Sequence, residues 1–452
     1  MPQTILILGA GRSASSLIKY LLDNSQKEDW KIKVCDSSIE AAQEKIGEHQ
    51  NGEAVHFDAN DSKLRKEYIS NSDLVISMLP YFLHDMVAVD CLALGKHLVT
   101  ASYVSEKLKK MHRYVKKKGL VFLNEIGADP GIDHMSAMSI IDQLEDEGKK
   151  LKVFRSYTGG LVSPECLDNP WNYKFTWNPR NVVMAGTAGT SMFLEKGVTK
   201  YIPYYRTFND THSIHVEGLG DFDSYANRNS LDYVNQYELN DIETLYRGTL
   251  RYPGFCSAWA ILVRLGLTDD SFEIDLNVIK TYRELVEAFM PFRYRTGDLI
   301  ENLADLCGID PNGDEISKIK WTGLLDDIPL IEGRTKRSPA GYLQNLLMTK
   351  WELKDDDIDM IVMQHEFEYL EANEQKKLIS TLILKGDDNV YTAMAKGVGL
   401  PVAIGAQMIL SGVIKDTGVV IPVKKSIYDP ILKELQNNGI CFKDKEIDPV
   451  SS

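Results

Sequence analysis

Short apolar runs separated by stretches of helical periodicity mark the first 125 residues. Ile5–Leu8, Ile32–Asp36, Ala54–Asp58, Leu74–Pro80, His97–Thr100 and Leu120–Leu123 each predict a strand. Between them, Ser15–Leu22, a segment from near Ile39, one through Met86–Leu94 that stops at Gly95, and one ending near Gly119 predict helices. Alternation of this kind builds a parallel, doubly wound sheet with helices on both faces. From about residue 150 the pattern changes. Leu151–Tyr157 alternates as a half-exposed strand, Thr158–Trp177 reads as a polar-aromatic loop, and residues 201–260 mix short strands with turns. Residues 256–347 read as mainly helical, with an amphipathic Ser257–Leu265 and a proline- and charge-rich stretch at 308–340. Strand patterns return at Asp359–His365 and Ser380–Lys385. An apolar helix to Ile409, expected to pack on the first domain, and a short amphipathic helix at Tyr428–Leu435 complete the chain.

The first run leads directly into Gly9-Ala10-Gly11-Arg12-Ser13-Ala14, a GxGxxA motif between strand and helix. Gly9 permits the turn, Gly11 lets backbone amides approach a pyrophosphate, and Ala14 keeps the helix close to the sheet. The helix N-terminus then favours the phosphates. The fold class is therefore α/β, with an N-terminal Rossmann-type dinucleotide-binding domain and an α+β substrate domain carrying a helical elaboration. The dinucleotide domain is expected over 1–130, completed by 392–452, and the substrate domain over 131–391 with its helical insertion at about 256–347. Asp36 ends the second strand, where an acid accepts ribose hydroxyls and repels a 2′-phosphate, so it favours NAD(H) over NADP(H). Arg12, Ser37 and Ser38 are the residues that would serve a phosphate instead. Asp58 is placed to approach adenine. Ser77, Leu79, Pro80, Ala101 and Ser102 lie at strand ends that border the ligand crevice of such a sheet.

Composition changes this picture little. A chain of 452 residues with 44% hydrophobic and 26% charged positions is that of a globular protein of two or more domains. No apolar run approaches the roughly 20 residues that span a bilayer, and no leader precedes the first core strand, so the cytoplasm is the expected compartment. The formal charge of −14 argues against a nucleic-acid surface. Six scattered cysteines without a CxxC pair predict reduced structural thiols and no metal site.

Candidate chemistry is concentrated in two regions. Ala101-Ser102-Tyr103 comes straight off the fifth strand, facing nicotinamide or substrate. The sixth delivers Glu125, Asp129, Asp133 and His134 on a glycine- and proline-rich junction. Asp129 either caps the helix entered through Pro130 or, with His134, presents a carboxylate and an imidazole to a ligand. Further on, Gly160, Lys174 and Trp177 belong to the polar-aromatic loop, and Arg228, Arg247 and Arg251 suit a substrate bearing carboxylates.

Several longer motifs resemble those of the saccharopine reductase family, the L-glutamate-forming saccharopine dehydrogenases. They include Leu74–Pro80, Val99–Tyr103, Glu125–Met135, Thr158–Glu165, Asn169–Pro179, Asn227–Ser230, Arg247–Phe255, Asp359–His365, Ala393–Ala403 and Tyr428–Leu432. They cover nearly the whole chain in the family's order. The resemblance implies NAD(P)-dependent interconversion of saccharopine with L-glutamate and 2-aminoadipate 6-semialdehyde in lysine metabolism. The residues themselves, read beside it, assign Asp129 and His134 as base or positioning groups, and Ser102, Tyr103, Asp129, Gly160, Lys174, Trp177, Arg228, Arg247 and Arg251 as substrate contacts. Fungal biosynthetic members carry Arg at the position of Asp36 and resemble NADP users, whereas the animal bifunctional enzymes carry an acid and resemble NAD users. Thr158, Ala128, Asn229, Trp171 and Val162-Ser163 depart from the family pattern. A carboxyspermidine or carboxynorspermidine dehydrogenase, and a non-catalytic nucleotide sensor or scaffold, are the alternatives these departures leave open. A homodimer is compatible with the sequence.

Overall fold

The computed structural model describes residues 2–187, 189–330 and 337–447. Its first elements alternate as strand and helix: β1 (Gln3–Leu8), α1 (Ser15–Ser25), β2 (Trp30–Asp36), α2 (Ile39–Ile46), β3 (Gly52–His56) and α3 (Ser62–Ser70). β4 (Leu74–Ser77), α4 (Tyr81–Leu94), β5 (His97–Val99), α5 (Glu106–Lys117), β6 (Val121–Leu123) and α6 (Ile132–Asp146) come next. The strands pair in parallel in the order β3–β2–β1–β4–β5–β6, and Gly418–Val420 adds a seventh beside β6. Ile5 to Leu8 are fully buried because helices cover both faces, which is why these strands read as unbroken apolar runs. Ser38, Asp61 and Ser105 cap α2, α3 and α5, their side chains accepting from backbone amides of the first turn. In register, Leu8 lies opposite Cys35 and Ser77. Gly9, Asp36 and Met78 therefore emerge together from one edge of the sheet.

Residues 1–151, 369–376 and 382–446 form one unit and 152–368 with 377–381 a second; residues 448–452 lie outside the described residues. The sequence boundary at 130 falls before α6, which belongs to the first unit. The first unit also holds Ala393–Leu410, 18 residues long and apolar enough by length and composition to cross a membrane. It is a core helix. Most of its apolar positions are buried, and Gly399 lets α1 approach so closely that a Cβ would sit 2.9 Å from Leu17 N and Ser13 O.

The second sheet includes β7 (Lys150–Val162), β8 (Ser191–Glu195), β9 (Val198–Ile202), β10 (Thr211–Val216), β11 (Gly220–Ala226), β12 (Thr244–Arg251), β13 (Asp359–Glu371) and β14 (Glu374–Lys385). Its main path is β10–β11–β12–β7–β13–β14 followed by Lys443–Ile447, with β8 paired to β12 and β9. Two expectations are corrected here and one is extended. Thr158–Val162 is the second half of β7 rather than loop, because Gly159 lets Leu250 of β12 pack at 2.9 Å from where its Cβ would be. Asp359–His365 and Ser380–Lys385 are the outer halves of one long hairpin. Its turn is Ala372-Asn373, both at positive φ, and charged residues obscure its inner halves. Trp171, Tyr173 and Phe175 belong to the buried core of the helical part, with Trp171 centred 5.3 Å from Trp351 and Phe255 stacked on Trp259. Trp171 Nε1 donates to Lys318 O at 2.8 Å, so the indole's polar edge is satisfied inside that core. Phe255–Leu265, Tyr282–Phe289, Leu299–Cys307, Asp314–Thr322 and Pro339–Lys350 supply its helices. Residues 331–336, within the proline- and charge-rich stretch, lie outside the described residues.

Candidate active site

Gly9 has φ +107°, and a Cβ there would meet Met78 O at 2.9 Å, so the turn after β1 requires glycine. Gly11 differs: its backbone is extended, and a Cβ would meet nothing within 4 Å. Arg12 is exposed, Ser13 is half-buried, and Ala14 is buried at the entrance to α1. Open space over Gly11 at a helix entrance fits a dinucleotide pyrophosphate. A pair of substitutions separates the two glycines. Gly9→Ala is expected to cost about 2 kcal/mol or more of stability through strain and clash. Gly11→Ala is expected to cost under about 0.5 kcal/mol yet weaken coenzyme binding about tenfold. Urea unfolding and coenzyme titration of both variants check this.

Asp36 is occupied by the turn itself. One carboxylate oxygen accepts from Ala10 N at 2.7 Å and the other from Ser38 N at 2.9 Å, with Ser37 Oγ at 3.3 Å. Ser37 is exposed beside it. Asp58 is exposed and turns back on its own loop, accepting from Asn60 N at 2.9 Å.

At the neighbouring strand ends, Ser77 and Ser102 are joined through His84 of α4. Ser77 Oγ lies 2.8 Å from His84 Nδ1, and His84 Nε2 lies 2.8 Å from Ser102 Oγ. Leu79 packs partly into the core beside β4, Pro80 is exposed at the start of α4, and Ala101 is half-buried. His84 was not among the residues singled out by sequence; its available signal was a histidine just after the Pro80 helix start, seven positions beyond Ser77. Burial pushes its pKa down to about 4, against the opposing pull of Asp85. The unfolded chain binds a proton near 6.5 and the folded one only near 4. This contribution is therefore complete above pH 6.5 and is lost as pH falls toward 4, with a slope approaching about 1.4 kcal/mol per pH unit. Urea midpoints measured between pH 7 and 4.5 are expected to show that slope, and His84→Gln to reduce it.

The junction after β6 gathers the acids and the imidazole. Gly131 has φ +147°, and a Cβ there would fall 2.1 Å from Gly127 O, so the loop closes on itself at a glycine. Gly127 N donates to Pro130 O at 2.8 Å, and Gly131 N to Asp133 Oδ1 at 2.6 Å. Asp129 stands half-buried at the tip, with Tyr103 Oη 3.4 Å from its Oδ1. His134 is fully buried. Its Nε2 lies 3.0 Å from Glu125 Oε2, and its Nδ1 lies 4.0 Å from Asp133 Oδ1. The other Glu125 oxygen accepts from Val104 N at 3.0 Å. Glu125 and His134 thus tie the Tyr103 segment to the Asp129 turn.

In the second unit, Lys174 is buried and held by Asp168 at 2.9 Å and by both oxygens of Asp357 at 2.7 Å. Burial alone would raise the Asp168 pKa, but hydrogen bonds from Lys354 and Lys174 outweigh it and hold the carboxyl at about 2. Trp177 packs partly on the aromatic core. Gly160 is half-buried in β7, and Arg228 is exposed at positive φ. The Arg228 and Arg247 segments are stitched together, with Asn227 N donating to Arg247 O at 2.8 Å and Arg247 N to Ser230 Oγ at 3.0 Å. The buried Arg247 guanidinium lies 4.4 Å over the Tyr233 ring. Arg251 is also buried, with Tyr173, Phe255 and Tyr225 ring centres at 5.2, 5.4 and 5.7 Å and Leu250 O accepting from it at 2.8 Å. No carboxylate pairs with Arg251 among the described residues.

Residues 5–123 match the saccharopine dehydrogenase NADP binding domain, and residues 127–440 match the saccharopine dehydrogenase C-terminal domain. Saccharopine dehydrogenase [NADP(+), L-glutamate-forming] of Schizosaccharomyces pombe is 32% identical, across 98% of this chain and 99% of its own. The mitochondrial alpha-aminoadipic semialdehyde synthase of Bos taurus is 34% identical, and the chain spans about half of it, 47%. The apo saccharopine dehydrogenase (L-Glu forming) of Saccharomyces cerevisiae superposes with a TM-score of 0.86 at 30% identity, covering 98% of this chain and 100% of its own. Two expectations fall. The preference for NAD drawn from Asp36 is overturned by the NADP binding domain match and by fungal relatives named for NADP(+). Physically, that carboxylate anchors the glycine turn, so its presence was a poor guide to ribose selection. The cytoplasmic assignment is overturned by the relatives from ox, rat and mouse, all named as mitochondrial; the opening residues were an insufficient guide to compartment. By both domain matches and by relatives aligned over nearly its full length, the chain belongs to the saccharopine dehydrogenase family.

Proposed function

We propose that this chain interconverts saccharopine with L-glutamate and 2-aminoadipate 6-semialdehyde by NAD(P)-dependent hydride transfer at a C–N bond. It is an oxidoreductase of lysine metabolism acting on saccharopine-pathway substrates. The observation that carries this reading is full-length relatedness to L-glutamate-forming enzymes, together with an open glycine turn and a carboxylate-bearing turn in one parallel-sheet unit. When bound, the nicotinamide supplies hydride to the imine carbon or takes hydride from the amine-bearing carbon. Asp129 accepts the proton lost by the substrate nitrogen, and Tyr103 steadies that carboxylate. His134 and Glu125 act through the turn, as positioning residues that hold Asp129 and Tyr103 in register. Arg247 takes a substrate carboxylate, with Arg228 and Arg251 contributing positive charge. Alignment of the reacting carbon with the nicotinamide supplies much of the rate.

The test is incubation of purified protein with saccharopine and NADP(+). Reduced nicotinamide and free glutamate should accumulate in equal amounts. Absence of both overturns the assignment.

A further inference from the structure

The Ser77–His84–Ser102 chain lies where the proposed coenzyme and substrate would meet the ends of β4 and β5, so its role in ligand binding rests on the proposed function. Ser77 is 1% exposed, and among the described residues its hydroxyl has one hydrogen-bond partner, His84 Nδ1 at 2.8 Å. A buried hydroxyl hydrogen without an acceptor is costly. Ser77 therefore donates to Nδ1, which makes Nδ1 the acceptor and leaves the ring proton on Nε2. Nε2–H in turn donates to Ser102 Oγ at 2.8 Å. With an oxygen lone pair of Ser102 used in this way, its own hydrogen is left to point elsewhere. Ser77 and His84 are buried, whereas Ser102 is half-buried, so the chain has its exposed end at Ser102. Backbone bonds fix that end, with Ser102 O accepting from Glu125 N at 3.1 Å and Ser102 N donating to Thr100 Oγ1 at 3.3 Å.

We propose that His84 is a positioning residue, locked by Ser77 as the Nε2–H tautomer, which makes Ser102 a directed hydrogen-bond donor to a carbonyl or carboxylate oxygen of the bound ligand. The histidine itself transfers no proton in the reaction. Its depressed basicity keeps the ring neutral across the physiological range and so preserves the single tautomer.

The first test needs no turnover. In protein labelled with 15N-histidine at pH 7.5, the His84 ring, identified by its loss in His84→Gln, should show an unprotonated Nδ1 and a protonated Nε2. A protonated Nδ1 overturns the proposal whether or not saccharopine is the substrate.

The second test asks whether His84 acts through Ser102. His84→Leu and Ser102→Ala should each weaken ligand binding about tenfold, and the double variant no further than either alone. His84→Gln, whose amide can donate from near the Nε2 position, should recover to within about threefold of the parent. A rise confined to the coenzyme Kd places the accepting oxygen on the coenzyme, and a rise confined to the saccharopine KM places it on the substrate. Additive losses, no loss in either ligand, or failure of glutamine to rescue binding in a variant with parental unfolding behaviour each overturn the proposal.

Discussion

Arg247→Met is expected to raise the KM for saccharopine about a hundredfold, since truncating a desolvated charge contact costs about 3 kcal/mol. The coenzyme Kd should stay within about twofold. Saccharopine carries three carboxylates on a secondary amine, so recognition depends on cations that are already desolvated and oriented. Arg247 meets that description better than Arg228. It is 3% exposed, its guanidinium lies over Tyr233, and hydrogen bonds to Ser230 and Asn227 fix its backbone. Lys174 is held by Asp168 and Asp357 as counter-ions. Methionine keeps much of the side-chain volume and removes the charge, which limits damage to packing. Steady-state kinetics with saccharopine, beside a direct coenzyme titration, separates the two ligands. Equal losses for both would mark Arg247 as a structural residue.

Gly131→Ala is expected to lower kcat/KM about a hundredfold by misplacing the Asp129 turn, since small displacements of a reacting group are severe. The added methyl cannot be accommodated by a rotamer change, because the nearest atoms are the backbone O, N and C of Gly127 at 2.1, 2.2 and 2.5 Å. Either the Gly127–Gly131 contact opens or the segment carrying Asp129 moves. The glycine turn after β1 lies at a different strand end, so coenzyme affinity should survive in folded protein. Circular dichroism establishes whether the variant folds, and titration with coenzyme establishes whether the first sheet is intact. Parental kcat/KM would contradict the assigned importance of this turn.

How much of the fold and site was legible depends on which physical signal each feature leaves in the sequence. β1 to β6 were visible because helices bury both faces of a parallel sheet, leaving unbroken apolar runs such as Ile5–Leu8. Gly418–Val420 was not, since three residues carry no periodicity and their place beside β6 is a long-range pairing. The β13–β14 hairpin was hidden by Glu366, Glu368, Glu371, Lys376 and Lys377, and its turn uses Ala372-Asn373 rather than a glycine pair. Trp171 and Tyr173 looked like pocket lining because polar neighbours surround them; hydrogen bonding at Trp171 Nε1 lets that indole enter the core. Within the candidate site, the strand-end rule pointed to Ser77, Ser102 and Asp129. It could not reveal His84, whose importance comes from two hydroxyls brought to opposite sides of its ring. Asp36 is the converse case: an acid at the expected position whose oxygens serve the protein's own amides.

The central claim is hydride transfer at the carbon–nitrogen bond that releases glutamate. It is tested most directly with saccharopine dideuterated at the lysine-derived methylene bonded to the bridging nitrogen. One deuterium should appear in the reduced nicotinamide, the other should remain on the semialdehyde carbon, and the glutamate should be unlabelled. Reduced nicotinamide free of deuterium, or release of a lysine-derived amine that retains both deuterons, would contradict the account.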